Sequence, residues 1–331
     1  MAAKVFQYLI KRFPVSFGKR KPTGFTLIEI LVSVIIVGFI FSALMSFVVE
    51  LVQSERREYA RSETEREMQM ALDYMVSDLR EAVFVYDTIE GNRNVLGNGY
   101  QPLKNFIPNF DASLKPILAF WKTDRLTDTD ITSLGTCNAG SAAQQQECKD
   151  LLIKRRTLTL VVYLQTKNPT NDPKWKGKSR LMRYELKKYS NFANLTRSTG
   201  YVDPLEQSSF LTWPYNSTSL PPTPPVPTGG APVLVDFVDA PDNISTPSIP
   251  FSIPPCTAGY NRIPTDQTNN NSFFTCVKTI DTTSTSIIPA NQDVVIYLRG
   301  NPTGKAGIKV APLITVKTQA VTRGVVDKQP Q

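Results

Sequence analysis

The chain has 331 residues, a formal net charge of +8, 41% hydrophobic residues and no histidine. The lack of histidine excludes Ser-His-Asp and Cys-His catalytic arrangements, and no Walker, Rossmann or other glycine-rich phosphate-binding motif occurs. Six basic residues and no acid precede residue 25, so removal of residues 1–24 lowers the formal charge from +8 to +2. The sequence therefore predicts no nucleic-acid partner, no cofactor and no enzymatic activity.

An apolar segment, residues 25–49, contains a single charged residue, Glu29. At about 1.5 Å rise per residue, a helix of this length crosses a bilayer core of roughly 30 Å. Positive charge before such a segment keeps the N-terminus in the cytoplasm. We therefore predict one span in the inner (cytoplasmic) membrane, in contact with lipid, and an extracytoplasmic remainder. The basic residues that set this orientation are Lys4, Lys11, Arg12, Lys19, Arg20 and Lys21.

A secretory signal and an ordinary signal anchor are the alternatives for this segment. A secretory signal has an apolar region of only about 7–15 residues before a small-residue cleavage site, which does not fit. An ordinary anchor fits the length and the charge bias, but it explains neither Glu29 nor the junction of Gly24 and Phe25. A charge in lipid costs about 2.5–3.5 kcal/mol even on lenient scales, so Glu29 requires a function.

The motif Gly24-Phe-Thr-Leu-Ile-Glu29 resembles the prepilin signature of type IV pilins and type II secretion pseudopilins. The resemblance implies that prepilin peptidase cuts between Gly24 and Phe25, that Phe25 is N-methylated, and that Glu29 guides filament assembly. It also implies other pilin or pseudopilin subunits and the inner-membrane assembly platform as partners. Glu29 can pair with the amino group of a neighbouring subunit's Phe25, which offsets the cost of burying each charge alone.

Residues 50–84 are predicted to continue the helix in amphipathic form. Charges of both signs occur at helical spacing over residues 50–67 and are typical of a solvated face. Apolar residues then recur every three or four positions from Met68 to Val83. This spacing predicts a helix face that packs on a globular head.

Residues 85–331 form the predicted extracytoplasmic, β-rich head. A helix followed by a run of strands predicts an α+β, pilin-like fold, with the long helix packed on an antiparallel sheet. The first two strands are expected to pair through a connection too long for a tight hairpin, and long loops are expected over 91–116, 124–150 and 239–286. The predicted strands are residues 157–164, 180–186, 233–238, 293–299 and 308–316.

Finer resemblances point to a class within this family. The strand pair with Leu181-Met-Arg-Tyr184, and Ser77-Asp-Leu-Arg80 near the helix end, resemble minor pilins and pseudopilins of the J or W type. Tyr297-Leu-Arg-Gly-Asn301 resembles the cyanobacterial hormogonium polysaccharide secretion pseudopilins. These resemblances imply a minor subunit of a type IV-like filament or secretion pseudopilus that serves motility or the export of polysaccharide or protein.

Two other functions stay open. One is a filament-tip adhesin or binding module that uses residues 124–150 or the segment 219–232, where six prolines favour a loop or spacer. The other is a membrane-anchored hydrolase that shares only the leader. Asp124, Asp128 and Asp130 could bind calcium, but they lack the spacing and glycine of an EF-hand, so a solvated loop is the default.

Four cysteines lie on the predicted extracytoplasmic side, where disulfides persist. Three pairings are possible, and we favour Cys137 with Cys148 and Cys256 with Cys276, because each bond then closes a single loop. The spacing is unlike Cys-x-x-Cys and histidine is absent, so the cysteines predict no metal site.

Overall fold

A computed structural model describes residues 24–91, 100–110, 113–206, 210–215, 225–241, 254–266, 272–279, 292–309 and 312–322. The chain divides into two compact units, Met1–Glu55 and Arg56–Gln331. Helix α1, Leu27–Arg80, contributes to both, and the second unit contains a large curled antiparallel sheet. The predicted α+β, pilin-like fold is confirmed.

In the second unit, one face of α1 packs on the sheet. The buried residues of α1 recur every three or four positions, as the sequence predicts for the packed face of an amphipathic helix. The predicted helix was too long, because α1 ends at Arg80 and Val83 lies in strand β1, Ala82–Val85. All four residues of β1 are buried, so the apolar run there serves a strand covered on both faces. The buried residues of α1 are Ala60, Thr64, Met68, Ala71, Leu72, Met75, Val76, Asp78 and Leu79.

The main sheet has nine antiparallel strands. Besides β1 they are β2, Lys115–Arg125; β3, Arg156–Lys167; β4, Ser179–Leu186; β7, Val233–Val238; β8, Tyr260–Ile263; β9, Phe273–Lys278; β10, Asp293–Gly300; and β11, Ile314–Val321. Their order is β1-β2-β3-β4-β7-β10-β9-β8, and β11 pairs with the edge of β10 opposite β9. A separate two-stranded sheet joins β5, Tyr189–Asn191, to β6, Thr196–Arg197.

The predicted strands correspond to β3, β4, β7 and β10, and the expected pairing of β3 with β4 is present. The last predicted strand, 308–316, was placed too early. Ile308 follows a short 3₁₀ helix, Lys305–Gly307, in which Gly307 has a φ of 77°. A positive φ interrupts an extended strand, and β11 begins only at Ile314.

The predicted loop over residues 124–150 was wrong. Strand β2 runs to Arg125, and helices α2, Asp128–Leu134, and α3, Ala142–Lys154, follow it. Each helix begins with a capping box, in which Thr127 pairs with Asp130 and Ser141 pairs with Gln144. These reciprocal bonds satisfy backbone N–H groups at the helix start, so a polar composition still forms helices.

The other two predicted loops also contain regular structure. Residues 91–116 include the 3₁₀ helix Leu103–Phe106 and the start of β2, and residues 239–286 include β8 and β9. Parts of both loops, residues 92–99, 111–112, 242–253, 267–271 and 280–286, lie outside the described residues. In the proline-rich segment, residues 225–232 are described and form neither helix nor strand.

The sheet curls until distant strands meet. The Thr275 hydroxyl on β9 donates to the Ile117 carbonyl oxygen on β2 at 2.9 Å. The side-chain amide of Gln292 accepts from the Val85 N–H and donates to the Val85 carbonyl oxygen, both at 2.7 Å. Gln292 therefore pairs with the backbone of β1 as a neighbouring strand would, and it closes this edge of the sheet.

Candidate functional site

The predicted processing junction lies just before the first turn of α1. Gly24, Phe25 and Thr26 have no regular structure. The Thr26 carbonyl oxygen accepts from the N–H groups of Glu29 at 3.1 Å and Ile30 at 3.3 Å, and its hydroxyl accepts from Glu29 N–H at 3.4 Å. Thr26 therefore caps the helix. The peptide bond between Gly24 and Phe25 stays outside the helix.

Glu29 lies in the first turn of α1 and is exposed. The N–H groups at a helix start carry partial positive charge, which favours a carboxylate at this position. Among the described residues, no basic side chain forms an ion pair with Glu29. The carboxylate is therefore open to a cation from another molecule.

The segment around Glu29 is apolar, and no other part of the described chain covers it. Every residue from 24 to 59 is exposed, and Phe25 and Leu27 expose 74% and 84% of their surface. Of the helices that the structure describes, α1 alone is long and apolar enough to cross a membrane. An apolar surface of this extent is covered by lipid or by other proteins rather than by water.

Asp78 binds α1 to three strands of the sheet. Its carboxylate accepts hydrogen bonds from Arg183 Nε at 2.8 Å, Tyr163 OH at 2.7 Å and Lys122 Nζ at 3.0 Å. Burial alone raises the pKa of Asp78, but hydrogen bonds from Arg183 and Tyr163 and the charges of Arg183 and Lys122 outweigh it. The pKa of Asp78 is therefore below its usual value. This cluster fixes the end of α1 on the head.

A second close contact joins α1 to the sheet, about three helical turns before Asp78. A Cβ atom on Gly300 would lie 3.0 Å from both Met68 Cγ and Thr64 Cγ2, so glycine permits the close approach of β10 to the helix. Beside it, Arg299 binds the buried carboxylate of Asp239 through Nε at 2.8 Å and Nη2 at 2.7 Å. Asp78 and Gly300 thus mark two places where the helix lies directly against the sheet, and spacing in the sequence did not predict either contact.

The structure joins Cys137 to Cys148 and Cys256 to Cys276, with Cα separations of 5.5 and 5.6 Å. This is the pairing that the sequence favours. The first bond lies in a small separate core between α2, α3 and β5, and the second ties the segment before β8 to β9. The other residues of the small core include Leu126, Leu134, Leu151 and Tyr189.

The three acids considered for calcium do not converge. Asp124 forms an ion pair with Lys122 at 3.0 Å, and Asp130 serves in the capping box of α2, where Asp128 occupies the first turn. Within the described ranges, no group of three or more Cys, Asp or Glu residues is arranged to hold a metal ion.

Comparisons with known proteins agree with the N-terminal geometry. The family model described as the prokaryotic N-terminal methylation motif matches residues 19–45, which include Gly24, Phe25 and Glu29. No curated protein and no solved structure matches the chain. The chain therefore carries a type IV pilin-like N-terminal signal, joined to a helix that fits a single membrane span.

Proposed function

We propose that the protein is a minor pilin or pseudopilin that assembles into a type IV-like filament or secretion pseudopilus. One observation carries the proposal. The helix start is capped by Thr26 just after the bond between Gly24 and Phe25, and the sole carboxylate of the exposed apolar segment, Glu29, lies in the first helical turn. An ordinary anchor requires none of these features.

Processing follows from this arrangement. Prepilin peptidase hydrolyses the peptide bond between Gly24 and Phe25, which releases residues 1–24 and leaves a new amino group on Phe25. Gly24 has no side chain, and among the described residues no heavy atom lies within 4 Å of its Cβ position, so an enzyme can approach the backbone closely. Methylation of the Phe25 amine then completes the mature N-terminus.

Assembly uses the charge that processing creates. The Phe25 amine is positive after cleavage, and Glu29 of a neighbouring subunit is exposed and negative. Each charge is costly to bury alone, and pairing offsets much of that cost. The pair also fixes the axial register of adjacent subunits, while residues 25–49 exchange contact with lipid for contact with neighbouring helices.

The regions of the chain then have separate tasks. Residues 1–24 are a cytoplasmic leader, residues 25–49 cross the membrane, residues 50–80 continue α1 to the head, and residues 81–331 lie outside the cytoplasm. The disulfides support this placement, because they persist in oxidising compartments. Prepilin peptidase, other pilin-type subunits and the inner-membrane assembly platform are the proposed partners.

The size of the head favours a minor subunit, as subunits that repeat throughout a filament must pack side by side. The segment between β2 and β3 adds helices α2 and α3 to the head. On resemblance, the filament serves motility or the export of polysaccharide or protein, and the J or W type of minor subunit is the class proposed.

The role of Glu29 gives the test. Glu29→Gln removes the charge with little change in shape, so the variant should be cleaved and membrane-bound but strongly depleted from sheared filaments. Glu55→Gln, an exposed glutamate further along α1, is the matched control and should assemble normally. Equal recovery of Glu29→Gln and wild type in filaments would refute the assembly role of this carboxylate.

A further inference from the structure

An apolar groove lies between α1 and β7 on the head, and we refer to it as the α1–β7 groove. Its volume is about 400 Å³. Met70 and Tyr74 on α1 are 55% and 46% exposed, although they lie in the stretch of α1 that packs on the sheet. Exposed apolar side chains gathered in a recess mark an interaction site more often than singly exposed ones. The principal side chains of the groove are Met70, Tyr74, Trp175, Leu234 and Phe237.

The groove is preformed. The Asp236 carboxylate accepts from the backbone N–H groups of Lys176 at 2.9 Å and Gly177 at 3.1 Å, and from Asn168 Nδ2 at 2.7 Å. A Cβ atom on Gly177 would lie 2.4 Å from Phe237 N, so the connection between β3 and β4 is pressed against β7. These contacts fix Trp175 at the side of the groove before any partner binds, which lowers the entropic cost of binding.

The rim of the groove carries an excess of positive charge. Lys174 Nζ lies 4.7 Å from the ring centroid of Trp175, and Lys176 Nζ donates to a backbone carbonyl oxygen. In the part of the chain that the structure describes, neither lysine forms an ion pair with a carboxylate. Glu67 pairs with Lys305 at 2.8 Å, whereas the Asp236 and Asp172 carboxylates accept from neutral N–H groups. Arg180, whose guanidinium carbon lies 5.9 Å from the Trp175 ring centroid, adds a third cation, so three cations face these two carboxylates. A complementary partner therefore presents an apolar side chain beside carboxylates.

We propose that the α1–β7 groove receives a large apolar side chain, flanked by carboxylates, from the head of a neighbouring pilin-type subunit. The proposal rests on the proposed function, because it places the contact within the filament. The cavity has room for one or two large side chains. One large aromatic side chain buries about 150–250 Å², far below the roughly 1,200–2,000 Å² that a stable complex buries.

The contact is therefore weak by itself and forms when packed helices hold two heads together at high effective concentration. The groove and the surface that fills it are different patches, so the contact gives two neighbouring subunits a fixed order instead of closing a symmetric dimer. The groove thus contributes to the order in which heads follow one another, while Glu29 acts at the helix start.

Charge reversal tests the lysine rim. Lys174→Glu with Lys176→Glu should lower recovery in sheared filaments about fivefold or more, relative to the processed subunit in the membrane. The matched control, Lys149→Glu with Lys154→Glu on α3, reverses two exposed lysines elsewhere on the head and should assemble normally. Equal recovery of both double variants would overturn the proposal.

A photo-crosslinking residue at position 70 tests the occupant, with position 153, a 79% exposed isoleucine on α3, as control. In filaments, position 70 should crosslink to an apolar segment with adjacent acids in a subunit that carries the same N-terminal signal. The crosslink should disappear in Glu29→Gln. Crosslinks only to lipid or to a polyanion, or none in intact filaments, would overturn the proposal. An uncleaved leader would instead refute the proposed function, and the groove proposal with it.

Discussion

Arg183 and Asp78 form a buried ion pair that joins strand β4 to the last turns of helix α1. Arg183 Nε lies 2.8 Å from Asp78 Oδ2, and each side chain is only 9% exposed. The residues are separated by 105 positions in the chain. Their pairing therefore belongs to the tertiary structure and fixes where the helix rests on the sheet.

Removal of the Asp78 charge should strongly destabilise the head. Asp78→Asn leaves the buried Arg183 with only the partly exposed Glu185 as a carboxylate partner, and loss of one partner of a buried pair costs about 3–5 kcal/mol. Denaturant unfolding of the full chain in detergent, followed by circular dichroism, measures the change. Asp73→Asn, an exposed acid on the same helix, should change the unfolding free energy by less than about 0.5 kcal/mol. Equal effects of the two variants would contradict the role of the pair.

The stability that Asp78 provides should depend on pH. The pKa of Asp78 is lowered in the folded protein, so its contribution is complete above the unfolded value of about 3.9. The contribution is lost as the pH falls through the lower, folded pKa, because the protonated side chain no longer balances Arg183. The difference in unfolding free energy between wild type and Asp78→Asn should therefore be large at pH 7 and shrink below about pH 4. A difference that stays constant down to pH 2 would contradict this account.

The close approach at Gly300 should not tolerate a methyl group. Gly300→Ala places a Cβ atom 3.0 Å from Met68 Cγ and Thr64 Cγ2, and overpacking of this kind costs about 1–3 kcal/mol. Gly230→Ala is the control, since no heavy atom lies within 4 Å of that Cβ position among the described residues. Thermal unfolding should separate the two variants, and a Gly300→Ala protein as stable as the control would show that the helix can shift to make room.

Sequence periodicity predicted the helix and strands whose formation depends on residues close together in the chain. β7 has the predicted bounds because a short, mostly apolar run fits a strand, and the apolar stripe of α1 fits its buried face. The helices in residues 124–150 were missed although Ser141 and Gln144 have the spacing of a capping box. That signal was present but was outweighed by the polar composition.

Other features of the structure depend on contacts between residues that are far apart in the chain. The Asp78 cluster and the Gln292 amide that pairs with β1 join residues far apart in the chain, and no spacing rule links them. The roles of Gly24, Phe25 and Glu29 could be proposed from the sequence because these residues lie within six consecutive positions. The α1–β7 groove could not, since α1, the β3–β4 connection and β7 each supply part of it.

The cap at Thr26 should influence processing. Thr26→Val keeps the branched shape but removes the hydroxyl that accepts from Glu29 N–H, so the helix start is less well defined. An N-cap contributes about 0.5–2 kcal/mol, and cleavage in a pulse-chase experiment should slow by several-fold. Thr26→Ser and Thr26→Asp retain a capping oxygen and should be cleaved normally. If serine and aspartate fail as valine does, prepilin peptidase reads the threonine itself and the cap is not the cause.

Mass spectrometry of the mature N-terminus, on protein from membranes and sheared filaments of the native host, tests the central claim most directly. The account predicts a chain that begins at Phe25 with an N-methylated amine, in both fractions. An intact leader, or a cut at another bond, would contradict the pilin assignment and leave an anchored protein whose function lies in the head alone.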